Sequence, residues 1–159
     1  MPTSFSPEPS STVTRDAMTE PRQDWTITAL LCDHAQVAEG KLFISGGGWS
    51  LCGPGPFVHA LAAKVGVPWD QANRKHTLRA RIEDEDGRPV LVGDPPSEIE
   101  LQTEFEVGRP PGVTPGTQLD MPFAVNLGPL ELPPGQGFLW VLTIDGQECS
   151  RIPFRTRAL

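Results

Sequence analysis

The chain has 159 residues, enough for one domain that buries about two-thirds of its unfolded surface, and nothing in its length requires a second. A formal net charge of -7 excludes a general electrostatic attraction to nucleic acid or anionic lipid. Sixteen glycines and eighteen prolines exceed ordinary usage without reaching that of a low-complexity chain, which predicts many short elements joined by turns, an all-β protein.

Residues 1–24, MPTSFSPEPSSTVTRDAMTEPRQD, carry too few large apolar side chains to offset the entropy of ordering. They are predicted to form a disordered tail, with the folded domain over 25–159. Met18 inside this tail offers a second start of translation. No basic segment followed by an apolar one opens the chain, and no stretch approaches the roughly 18 to 20 apolar residues that span a bilayer. Cys32, Cys52 and Cys149 are odd in number and show no C-x-x-C spacing, so neither a disulfide framework nor a zinc knuckle is expected. The thiols read as reduced. A cytoplasmic protein with no nucleic-acid partner and no membrane contact is the expectation.

From Trp25 the pattern takes a period of two: Trp25, Ile27, Ala29 and Leu31 alternate with Thr26, Thr28, Leu30 and Cys32, as in a strand. A helix over TALLCDHAQVAE is the competing reading. KLFIS follows as a short strand and runs into GGGW. FVHALAAKVGV alternates again, with Phe57, His59, Leu61, Ala63, Val65 and Val67 on one side. VPWDQANR breaks the pattern because Pro68 cannot donate to a ladder, and Asp70 is placed to cap a short helical turn containing Ala72 and Asn73.

KHTLRARIE reads as a strand with His76, Leu78, Ala80 and Ile82 inward and its charges outward, and Asp86-Gly87 supplies the positive φ of a hairpin turn. EIELQTEFEV has Ile99, Leu101, Thr103 and Phe105 on one face and glutamates on the other, a charge that suits an antiparallel neighbour of the basic strand. GRPPGVTPG, which contains Arg109, is a rigid loop. TQLDMPFAVN is a strand that Pro122 confines to an edge or bulge, whereas GFLWVLTID is apolar on both faces and therefore central. Asp145-Gly146 turns the chain into a last strand, ECSRIPFRT. Eight or nine short strands separated by turn signals predict an antiparallel two-sheet β-sandwich, with immunoglobulin-like and C2-like topologies both open.

Taken together and in order, LLCDHAQVAEGKLFISGGGW, VPWDQANRKH, DEDGRPV, FEVGRPPGVTPGT and NLGPLELPPG resemble a family of small bacterial proteins known only as a domain of unknown function. The resemblance runs from Ala29 to Ile144, and GGGW and the VPWDxxN turn are its most specific markers. It implies an antiparallel β-sandwich and no particular activity, substrate or cofactor.

Gly46, Gly47 and Gly48 permit a bulge, a positive φ or a close backbone approach, and Trp49 can cover the peptide groups they expose. The run lacks the G-x-x-x-x-G-K-[ST] pattern of a phosphate loop. Asp33, His34 and Ser50 supply residue types for hydrolysis, but neighbours in a strand point to opposite faces and no G-x-S-x-G elbow is present. Asp33 is expected to cap or turn the chain. His59 and His76 fall on inward faces, where a hydrogen-bonded core histidine is commoner than a metal ligand. Cys32 and His34 have ligand spacing but no second pair. Glu83, Asp84, Glu85 and Asp86 offer carboxylates without the twelve-residue calcium loop, so they read as a solvated hairpin tip. Trp69 with Asp70 and Asn73 either plugs one end of the sandwich or lines a binding site.

No catalytic residue, metal or cofactor is predicted. The expected function is binding of a protein partner or self-association, using sheet edges and the segments Gly46 to Gly55 and Gly108 to Gly116 as one contact surface. Gly46, Gly47, Gly48, Trp49, Trp69, Asp70, Asn73 and Arg109 are the candidate contact residues. A small-ligand or carbohydrate module built on Trp49 and Trp69 is the alternative, and a hydrolytic or metal-dependent enzyme the third reading.

Overall fold

The computed structural model describes residues 24–159, so the tail expected over residues 1–24, with Met18 in it, lies outside the described residues except for Asp24. Within them the chain is all-β. Eight strands have seven or more residues: β1 (Thr26–Ala38), β2 (Lys41–Gly47), β4 (Phe57–Val67), β5 (Lys75–Asp84), β8 (Glu100–Glu106), β9 (Leu119–Leu130), β10 (Gly137–Ile144) and β11 (Gln147–Thr156). Three more, β3 (Leu51–Cys52), β6 (Leu91–Val92) and β7 (Ser97–Glu98), have two residues each and bring the count to eleven rather than eight or nine. A two-residue pairing is too short to show a period in sequence.

The strands form a four-stranded sheet in the order β2-β1-β4-β9, a five-stranded sheet in the order β3-β11-β10-β5-β8 and a β6-β7 hairpin. Neither large sheet closes on itself. β1 is a strand throughout and not a helix, because it pairs antiparallel with β2 on one side and β4 on the other. Glu39 and Gly40, at φ 51° and 70°, make the tight turn between β1 and β2. The basic and acidic strands are antiparallel neighbours, with Lys75 opposite Glu106 and Arg81 opposite Glu100. β10 is central, and β9, which carries Pro122, is an edge.

One apolar cluster draws Leu31, Leu61 and Ala63 from the four-stranded sheet and Ala80, Ile82, Trp140, Leu142 and Phe154 from the five-stranded sheet, so the two sheets share a core. A second cluster, around Val65, Val67, Leu78, Leu119 and Ile144, fills the end near the C-terminus of β4. Beyond the alternation read from sequence, β4 is buried on both faces, since Ala60 and Ala62 join Cys32 and Ala35 in a third cluster. Small side chains there allow β1 to lean across β4: the Asn126 carboxamide of β9 accepts from the Ala35 amide at 3.1 Å and donates to its carbonyl at 2.7 Å. These bonds reach over the intervening strand. Nothing in the local sequence singled out Asn126.

Candidate functional site

The glycine run is where the chain crosses from one sheet to the other. β2 contains Gly46 and Gly47, so the strand runs two residues past KLFIS, and Gly48 and Trp49 then carry the chain to β3, which lies parallel to β11. Gly46 sits at φ 61°, and a Cβ built on it would overlap the carboxylate of Asp33. That carboxylate accepts the indole N–H of Trp49 at 3.2 Å. Asp33 therefore neither caps nor turns the chain; it lies within β1 and holds the crossover tryptophan. Gly48, at φ 93°, donates to the Leu31 carbonyl at 2.9 Å. Gly47 has no positive φ, although a Cβ on it would crowd Ile44 Cγ2 at 2.9 Å, Leu30 Cδ1 at 3.0 Å and Cys32 Cβ at 3.4 Å. The conformational requirement thus sits at Gly46 and Gly48.

Trp49 is half-buried, and its ring meets His59 edge-on at 6.0 Å. His59 is fully buried among Phe57, Trp140 and Phe154. Its Nε2 accepts the indole N–H of Trp140 at 3.2 Å, which leaves the proton of the neutral ring on Nδ1, an atom without a hydrogen-bond partner. Burial pushes the His59 imidazolium down to about 4. Aromatic rings surround this histidine, which bridges the two sheets through its bond to Trp140.

His76, also buried, sets Nδ1 2.6 Å from Asp145 Oδ2 and Nε2 2.8 Å from the Gln71 carbonyl. Burial alone would raise the Asp145 carboxyl, but the hydrogen bonds from His76 and the Thr77 amide, with the attraction of the ring, hold it below the ordinary value. Trp25 meets His76 edge-on, with the two ring centroids 4.7 Å apart.

The VPWDQANR turn is a 3-10 turn over Trp69–Gln71 with Pro68 at its N-cap and no capping side chain. Asp70 is exposed and lies inside the turn, so the capping role expected for it is not present. Asn73 takes φ 59° and donates its amide to the Val107 carbonyl at 2.7 Å. Trp69 is half-buried against the second cluster. The Arg109 guanidinium lies 4.4 Å from its ring centroid and donates to the Trp69 carbonyl from Nη2 at 2.7 Å and from Nε at 3.2 Å. The residues of this expected cluster do come together, as a strapped end of the fold.

The glycine corner and the Trp69 end do not meet. Gly55 precedes the start of β4, while Trp69 and the loop at Arg109 follow its end. The eleven residues of β4 separate them by about 33 Å. Gly46 to Gly55 and Gly108 to Gly116 therefore do not form one surface, and Trp49 and Trp69 do not share a groove. The acidic hairpin tip spends its oxygens locally: Asp84 Oδ1 accepts the amides of Asp86 and Arg88, Glu85 pairs with Arg155 at 2.7 Å, and buried Glu83 pairs with Arg81 at 2.6 Å. Cys32 is buried and directs its thiol at the Ala60 carbonyl, whereas His34 is exposed. Among the described residues no three His, Cys, Asp or Glu side chains gather to hold a metal ion, and no helix is long and apolar enough to cross a membrane.

The most unusual surface belongs to β2, a strand with no distinguishing motif in its sequence. β2 ends its sheet, and six of its seven residues are exposed, including Phe43 at 51% and Ile44 at 41%. The other edges of the large sheets are protected: β8 by Glu100, Glu104 and Glu106, β9 by Pro122 and Pro129, and β3 by its two-residue length. β2 carries one charge, Lys41, and no proline. Alternation gave no warning of this, because an edge strand and an interior strand share the period of two. A model of a family of unknown function, DUF6941, matches residues 27–157 of the chain. No curated protein and no solved structure matches it.

Proposed function

We propose that this chain, which belongs to the DUF6941 family of unknown function, is a non-enzymatic protein-binding module whose contact surface is the open edge of β2. One observation carries the reading: among the edge strands of seven or more residues in the two large sheets, β2 alone combines exposed apolar side chains with a run, Leu42 to Gly47, free of charge and proline. An exposed edge of that kind presents unpaired N–H and C=O groups to an incoming strand, and flanking apolar residues add specificity. The outer face of the five-stranded sheet contrasts with it, being covered by the pairs of Arg79 with Glu100, Arg81 with Glu83 and Arg151 with Glu148.

The scaffold is read as a two-sheet sandwich of the immunoglobulin-like kind. The set β1, β4, β9 against β5, β10, β11 follows the ABE and CFG arrangement of that fold, and the parallel β3–β11 pairing supports it over a C2-like order. Three unpaired thiols suit a cytoplasmic setting.

The test compares tagged wild type with Phe43→Lys as baits in extract of the source cells that also contains an untagged copy of the chain. At least one protein, another polypeptide or the untagged copy, should be retained by the wild type and lost by the variant at equal far-ultraviolet circular dichroism. An identical set retained by both would refute a binding role for β2.

A further inference from the structure

We infer that the strand docking on β2 is β2 of a second copy, running antiparallel about a two-fold axis at Phe43; this rests on β2 being the binding edge. Each copy carries a net charge of -7, so self-contact is disfavoured wherever acidic side chains would face one another. β8 would set glutamates against glutamates. Between Leu42 and Gly47, β2 has no charge at all.

The register that places Phe43 on the axis is self-complementary. Directly opposed residues of an antiparallel pair point to the same face, and a two-fold perpendicular to the sheet keeps that face, so Phe43 meets Phe43 of the second copy. Leu42 then meets Ile44 of the second copy, and Lys41 meets Ser45. Within one copy Gln36 lies opposite Phe43, Val37 opposite Leu42 and Ala35 opposite Ile44. One face of the joined sheet therefore carries the row Val37, Leu42, then Ile44 and Ala35 of the second copy. The other carries an aromatic pair at its centre, a favourable cross-strand combination. The two four-stranded sheets become one of eight strands, and both exposed β2 edges disappear.

Two measurements on the purified full chain decide the matter. Sedimentation velocity over a concentration series should show a monomer-dimer equilibrium for the wild type and a monomer for Phe43→Lys. Under mild oxidation Phe43→Cys should give an intermolecular disulfide, because opposed Cα atoms about 4.5 to 5.5 Å apart lie within disulfide reach. Ile44→Cys faces Leu42 of the second copy instead of itself and should give little, with the wild type as control for the native thiols. A wild type that stays monomeric, or equal cross-linking at positions 43 and 44, overturns the inference. If the chain stays monomeric while Phe43→Lys still loses another captured protein, self-pairing fails and the binding role of β2 stands; if no protein is lost, both fail.

Discussion

Gly46→Ala tests the account of the crossover most directly. The substitution forces a residue with a Cβ to hold φ at 61°, a left-handed conformation that costs about 1 to 2 kcal/mol for an L-residue. The new Cβ also overlaps the Asp33 carboxylate, which must swing away from the Trp49 indole at 3.2 Å. A hydrogen bond to an ionised acceptor at this exposed position contributes about 1 kcal/mol. Against these stands a gain of about 0.4 to 1 kcal/mol from the stiffer unfolded chain. The expected net loss is about 2 kcal/mol, read as a lower urea midpoint with an unchanged slope. Asp33→Ala alone should cost about 1 kcal/mol, and the double variant should cost about 1 kcal/mol less than the sum of the singles, because the carboxylate that clashes is gone. A Gly46→Ala midpoint within 0.5 kcal/mol of wild type, or strict additivity in the cycle, would refute the link between the glycine, Asp33 and Trp49.

Asn126→Ala should destabilise the fold by about 2 kcal/mol, since it removes two bonds to the Ala35 backbone, and should speed hydrogen exchange at the Ala35 amide; unchanged exchange would rule out the clamp. The pH profile follows from His59, whose folded value of about 4 lies below its unfolded value near 6.5. The unfolded chain binds a proton first as pH falls, so stability is complete above about 6.5 and declines by up to about 3 kcal/mol toward pH 4. His59→Phe should flatten that slope in calorimetry, and an equally steep slope in the variant would contradict it. Asp145 acts lower on the scale: its depressed carboxyl contributes stability above the ordinary carboxylate value and loses it as pH falls through the folded value. Because its side chain is half-exposed, Asp145→Asn should cost only about 1 kcal/mol at pH 7, with a shallower acid limb as the check. Arg109→Ala should cost about 1 kcal/mol and shift one of the four fluorotryptophan resonances, that of Trp69, toward a solvent-exposed position; no shift would mean that the guanidinium does not cover the ring.

Local chemistry in the sequence was sufficient for the eight longer strands and several turns. The period of two over Trp25 to Cys32, Phe57 to Val67 and Lys75 to Glu83 marks extended backbone, and Asp86-Gly87 and Asp145-Gly146 mark turns whose glycines take φ 76° and 81°. Pro122 restricted its strand to an edge or a bulge, because a residue without an N–H cannot sit between two hydrogen-bonded neighbours, and β9 is an edge. Tertiary structure alone decided the rest. Asn126 and Ala35 are 91 positions apart and His59 and Trp140 81, so no local pattern could pair them. Trp49 and Trp69, close in sequence, were set at opposite ends by the length of β4 between them. Alternation records which side chains turn inward; the strand lying alongside, or the absence of one beside β2, is fixed by long-range backbone pairing, whose hydrogen-bonding groups are the same at almost every residue.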